Sequence, residues 1–264
     1  MPSTLFQVDA FSLQPFAGNP AAVCLLEQPA DEKWMQQVAA EMNLAETAFV
    51  CPEGDSLRLR WFTPLVEVDL CGHATLSAAH ILWQVGRFTS DQTIAFETLS
   101  GTLTAARVAD KIELDFPISP AVQQPPEAGL LEALGISDAT FCGKNGRDWL
   151  IEIPSAASLR RLSPNHAALM TYAVRGVMVT SPSDDARYDF LSRFFAPACG
   201  VPEDPVTGSA HCVLGEYWSK RLGKTTLSAY QASPRGGEVE VEVRNNRALL
   251  RGHAVTVAQI ELLC

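Results

Sequence analysis

Apolar and polar positions alternate in short runs through the first half of the chain. LFQVDAF (5–11), AAVCLL (21–26), TAFVC (47–51), LRLRWFT (57–63), TIAFETLSG (93–101), TLTAARVA (102–109) and KIELDFP (111–117) are rich in β-branched or aromatic residues and bounded by Gly, Pro or Asp, which predicts strands. Two helices interrupt them. DEKWMQQVAAEM (31–42) opens on Asp31, a good N-cap residue, and carries apolar residues at helical spacing. HATLSAAHILWQV (73–85) is apolar on nearly every face and stops at Gly86, so it belongs inside a core, wrapped by the strands before and after it. PISPAVQQPPEAG (117–129) reads as a linker. Beyond it the pattern returns, with strands at WLIEIP (149–154), GVMVTSP (176–182), YDFLSRFFA (188–196), EVEVEVR (238–244) and AVTVAQIEL (254–262). A second largely apolar helix, HCVLGEYWSKRLG (211–223), is closed by a glycine. The chain therefore divides into half-domains 1–116 and 117–264. The periodicity leaves open whether the last strand completes the second sheet or returns to the first.

The two halves carry a diverged repeat. Arg60-Trp-Phe-Thr-Pro64 is followed by Glu67, Cys71, Gly72, His73, Ala74 and a buried helix; Arg193-Phe-Phe-Ala-Pro197 is followed by Glu203, Thr207, Gly208, Ser209, Ala210 and a buried helix. Each copy places Glu five residues before the Gly, although the Pro-to-Gly spacing differs by three. A glycine at a helix start lets backbone approach a ligand, and the free N–H groups and positive dipole end there favour an anion. If the halves pack about a pseudo-two-fold axis, both helix starts face one cleft.

Bulk properties narrow the function. With 264 residues, 47% hydrophobic and 19% charged, the chain has an ordinary globular make-up. A net charge of −10 disfavours nucleic acid as a partner. No apolar run reaches membrane-spanning length and the N-terminus lacks a signal-peptide pattern, so a cytoplasmic protein without membrane partners is expected. Seven scattered cysteines suit reduced thiols. No zinc-ligand motif, dinucleotide fingerprint or P-loop occurs, so neither a structural zinc nor a nucleotide cofactor is expected.

Five residues carry candidate chemistry. Glu46, in MNLAETAFV, sits among apolar neighbours; desolvation would raise its pKa and strengthen it as a base, the bland alternative being a surface glutamate at a strand edge. His73 begins the first buried helix, where the dipole favours the neutral ring; a packing histidine is the alternative. Ser209 holds the matching place in the second half, where a serine is often only a cap. Asp204 stands in a turn before the second glycine. Cys71 would suit a two-thiol racemase, but the repeat sets Thr207 opposite it.

GNPAAV (18–23), MNLAETAFV (42–50), RWFTPLVEVDLCGHAT (60–75) and PEDPVTGSAH (202–211), in this order, resemble the phenazine-biosynthesis PhzF-like isomerases, from about residue 6 to the last strand. The resemblance implies a diaminopimelate-epimerase-like α/β (α+β) fold: two pseudo-symmetric domains, each a curved, mostly antiparallel sheet around a central apolar helix, with the site between them. It implies Glu46 as catalytic acid and base, His73, Asp204 and Ser209 as further catalytic residues, and Gly72, Ala74, Thr207, Gly208, Ala210 and Ala45 as substrate-binding positions. Ala45 stands where relatives often carry a hydroxyl. The chemistry implied is cofactor-free proton transfer on a small anionic, carboxylated substrate resembling a dihydro-hydroxyanthranilate, in a homodimer. Two alternatives remain: an amino-acid racemase or epimerase using Cys71, and a non-catalytic binding or scaffold protein.

Overall fold

The structure, a computed structural model, describes residues 3–54 and 56–263; the ends of the two sequence-derived half-domains at 1, 2 and 264 lie outside the described residues. The chain forms two compact units. In order, the first contains β1 (Ser3–Ala10), β2 (Asn19–Leu25), α1 (Glu32–Met42), β3 (Glu46–Glu53), β4 (Ser56–Phe62), β5 (Glu67–Val68), α2 (Gly72–Gln84), β6 (Ile94–Thr98), β7 (Gly101–Val108) and β8 (Lys111–Pro117). Asp31 caps α1 by accepting a hydrogen bond from Trp34 N, and Asn43 ends it in the left-handed conformation at φ 50°. Met35, Val38 and Ala39 on the inner face of α1 pack on Phe49 and Phe62. β2 and β3 run parallel across this helix, with Ala21 opposite Glu46.

α2 is buried on almost every face, as its apolar sequence demands. Its two buried hydroxyls do not stay unpaired: Thr75 Oγ1 donates to Cys71 O at 2.6 Å and Ser77 Oγ to His73 O at 2.9 Å. The helix starts at Gly72 and ends at Gln84, one residue earlier at each end than the apolar run suggests.

The second unit contains β9 (Val122–Gln123), α3 (Leu130–Leu134), β10 (Phe141–Lys144), β11 (Asp148–Glu152), α4 (Ala156–Arg160), α5 (His166–Leu169), β12 (Gly176–Pro182), β13 (Phe190–Ala196), β14 (Val201–Asp204), α6 (Gly208–Leu222), β15 (Thr226–Gln231), β16 (Gly237–Arg244) and most of β17 (Arg247–Gly252). The linker 117–129 is not structureless, because β9 within it pairs antiparallel with β10. β11 and β12 are parallel, Asp148 lying opposite Gly176. α6 begins at Gly208, three residues before the apolar stretch read as its start, and ends at the left-handed Gly223. It lies close on β16: a Cβ added to Gly215 would sit 2.4 Å from Val241 Cγ1. The last strand, β18 (Ala254–Leu262), belongs to the first unit and pairs antiparallel with β1 over the whole of β1, Leu5 opposite Ile260.

The sequence repeat is a structural one within each unit. Arg60 grips Glu67 with two hydrogen bonds of 2.7 Å and lies 5.1 Å above the Phe62 ring. Arg193 grips Glu203 with two bonds of 2.7 Å and lies 4.9 Å above Phe195. Each planar fork matches one carboxylate, which is why the residue types recur. The three extra residues of the second copy are spent on the 3₁₀ turn Pro197–Cys199 and left-handed Gly200.

Candidate active site

In the first unit, chain geometry brings three of the sequence-derived residues together. Glu46 opens β3, and Cys71 and His73 flank the start of α2. His73 Nε2 lies 3.2 Å from Glu46 Oε2, and both atoms are buried. His73 Nδ1 lies 3.2 Å from the Asn19 side-chain amide and 3.5 Å from Cys71 Sγ. The His73 side chain is 6% exposed, whereas the Glu46 side chain is 20% exposed. Ala45 precedes Glu46 in the half-buried turn into β3, and Gly72 and Ala74 belong to the first turn of α2. The side chain of Cys71, the N-cap residue, does not cap that turn.

Electrostatics correct two expectations. Burial works to raise Glu46, but the charge and hydrogen bond of His73, with a bond from Cys71, outweigh it; the carboxyl lies below its ordinary value of 4.5. Burial likewise opposes charge on His73, and the acidic groups Cys71 and Glu46 outweigh that, holding the ring well above its ordinary 6.5. Because burial and the Glu46 charge push the Cys71 thiol up, it is neutral, and Glu46 is the partner that matters. The resting site is thus a carboxylate–imidazolium pair, not a raised acid beside a neutral ring. A charged His73 donates from both nitrogens, towards Glu46 through Nε2 and towards Asn19 or Cys71 through Nδ1; the two ends of the Asn19 amide interchange by a half-turn.

The pair sets a pH window. Glu46, depressed in the fold, contributes stability that is present above 4.5 and lost as pH falls through its lower folded value. His73, raised in the fold, contributes stability that is fully present below 6.5 and lost as pH rises through its higher folded value. The pair therefore supports the fold most between about 4.5 and 6.5. We expect NMR titration of His73 to show an imidazolium persisting above pH 6.5; a ring already neutral there would remove the pair.

In the second unit, Asp204 ends β14 and Thr207, Gly208, Ser209 and Ala210 form the start of α6. The Thr207 hydroxyl donates to Asp204 Oδ2 at 2.5 Å rather than capping the helix. Gln231 ties this turn to β15: its Oε1 accepts from Thr207 N at 2.9 Å and its Nε2 donates to Asp204 O at 2.7 Å. Ser209 Oγ is held by Arg175 Nη1 at 3.0 Å. His211, one turn along, has Nδ1 2.8 Å from Thr207 O, and burial drives its pKa down to about 4, so it is a neutral packing group.

Sequence reasoning missed Asn19, Gln231 and Arg175. Asn19 lies inside the GNPAAV motif, which was its available signal. Gln231 occupies a buried place in the alternation of β15, where an apolar residue is the rule. The donor atoms of Glu46, Cys71 and His73 lie within 4.8 Å of one another, the one such group among the described residues with the spacing to hold a metal ion. The same spacing lets a carboxylate, a thiol and an imidazole exchange protons.

A family model described as phenazine biosynthesis-like protein matches residues 8–260. The chain is 52% identical to an uncharacterized isomerase of Halalkalibacterium halodurans, covering 100% of this chain and 99% of that one. An uncharacterized isomerase of Pseudomonas aeruginosa is 47% identical over 96% of each chain. The crystal structure of a phenazine biosynthesis protein of the PhzF family from Enterococcus faecalis superposes with a TM-score of 0.95 at 41% identity, covering 100% of both chains. No helix among the described residues is long and apolar enough to cross a membrane.

Proposed function

This chain belongs to the phenazine biosynthesis-like family, and on that premise we propose that it is an isomerase that moves a proton on a small carboxylated substrate, with Glu46 as both acid and base. The observation that carries the reading is the buried Glu46–His73 pair, its facing oxygen and nitrogen 3.2 Å apart with Cys71 beside them.

Glu46 is held as a carboxylate, so it can accept a proton from a carbon made acidic by conjugation to a carboxylate or carbonyl. The C–H electron pair passes into the conjugated system, and the negative charge that develops is stabilised by the His73 imidazolium and by first-turn N–H groups at Gly72 and Ala74. Glu46, now protonated, returns the proton to a different carbon. Mass and charge balance without a co-reactant. In the second unit, Gly208 and Ala210 offer backbone N–H groups, and Asp204, Thr207 and Ser209 offer polar side chains suited to an anionic group.

The neutral thiol of Cys71 and the presence of Thr207 at its counterpart disfavour the two-thiol racemase. Incubation in D₂O with a panel of small carboxylated metabolites, a dihydro-hydroxyanthranilate and free amino acids included, tests the proposal by mass spectrometry. We expect a one-dalton gain and an isomer shift in one unsaturated acid, unaffected by Cys71→Ala. Exchange confined to amino-acid α-carbons and lost in Cys71→Ala supports the racemase instead, and the absence of exchange in every compound leaves a binding protein.

A further inference from the structure

The two units place different chemistry around the openings of their parallel strand pairs and central helices. In the first, Asn19 starts β2, Glu46 starts the parallel strand β3, and His73 is the second residue of α2. In the second, Asp148 starts β11, Arg175 immediately precedes the parallel strand β12, and Ser209 is the second residue of α6. The first unit opens its second parallel strand on a carboxylate, and the second unit sets a guanidinium one residue before its own.

Arg175 is rigidly held. Its Nε donates to Asp148 Oδ1 at 2.9 Å and its Nη2 to Asp148 Oδ2, an acid that is 1% exposed. The guanidinium lies 5.3 Å above the Phe194 ring, and Gly176 makes room for this ring, since a Cβ there would sit 2.5 Å from Phe194 Cζ. The remaining nitrogen, Nη1, donates to Ser209 Oγ at 3.0 Å. A guanidinium only donates, so Ser209 must accept, and its own hydroxyl hydrogen turns to another acceptor. Nη1 and Nη2 each retain a second N–H beyond these bonds, and the side chain is 31% exposed. Two other acidic groups face Arg175, Asp204 and the Cys199 thiol, and the Asp204 carboxylate is engaged by the Thr207 hydroxyl.

We propose that Arg175 determines specificity: it fixes Ser209 as a hydrogen-bond donor and, beside it, recognises the carboxylate of the substrate. A carboxylate only accepts and carries the charge that a guanidinium matches, so a neutral amide in its place is poorly held. The word substrate rests on the isomerase reading; the recognition itself does not, and binding measures it without turnover.

The test is calorimetry with acid–amide pairs: anthranilate and anthranilamide, benzoate and benzamide, pyruvate and pyruvamide. The wild type should bind at least one acid about 10-fold or more tighter than its amide, and Arg175→Met should weaken the acid about 10- to 100-fold while leaving the amide unchanged. Arg175→Lys should restore part of the discrimination, and Ser209→Ala should remove part. If Arg175→Met does not fold, the lysine and serine variants decide. Wild type that binds no acid, or binds acids and amides alike, overturns the proposal, as does an arginine variant that weakens both equally. Deuterium exchange by that same wild type leaves the isomerase standing.

Discussion

Glu46→Gln lowers turnover about 10²- to 10⁴-fold, the range general acid–base groups contribute, while substrate binding stays within a few-fold of wild type. The amide keeps the shape of the carboxyl and cannot take a proton. The substitution also reports on its partner. With the carboxylate gone, the ring loses the charge and hydrogen bond that Glu46 supplies, and burial, which opposes charge on the ring, weighs more heavily. The His73 pKa should fall from its place well above 6.5, and the change is visible by NMR without any substrate. The two readouts separate two failures. Full activity with a shifted His73 means that Glu46 tunes the ring but is not the base. Lost activity with an unshifted ring means that the ion pair is not what holds the site.

Much of this was legible in the sequence, for identifiable reasons. Two largely apolar helices had to be buried, and they are. The Arg–x–Phe and Glu repeat was readable because a bidentate fork stacked on a ring tolerates few substitutions. Glu46 and His73 stood in motifs. What escaped was whatever depends on two places at once. Burial alone predicted a raised Glu46 and the helix dipole alone a neutral His73; 3.2 Å of separation reverses both. Arg175 sits in YAVRGV, a stretch with no motif, and only the parallel pairing of β11 with β12 brings it beside Asp148. β10, β14, β15 and α3–α5 were missed because they are short or carry polar residues inward, as Gln231 does.

The repeat also predicts unequal costs for one substitution made twice. Arg193→Met should destabilise the protein by about 3–5 kcal/mol, the cost of breaking a buried ion pair from one side. Beyond its fork with Glu203, Arg193 Nη1 donates to Leu162 O at 2.7 Å and Leu159 O at 3.2 Å, so the variant strands a carboxylate and two carbonyls together. Its side chain is 9% exposed, so water cannot replace what is lost. Arg60→Met removes the matching fork, but Arg60 is 23% exposed and its third partner, Glu32, lies at the surface. Water reaches Glu67 more readily there, and a cost of about 1 kcal/mol is expected, near the upper end for an exposed pair. Urea denaturation of the two variants, compared at unchanged m-value, measures the difference. Equal costs would mean that the ring and the carboxylate, which the two copies share, set the stability. The predicted gap requires that the backbone carbonyls held by Arg193 alone do so.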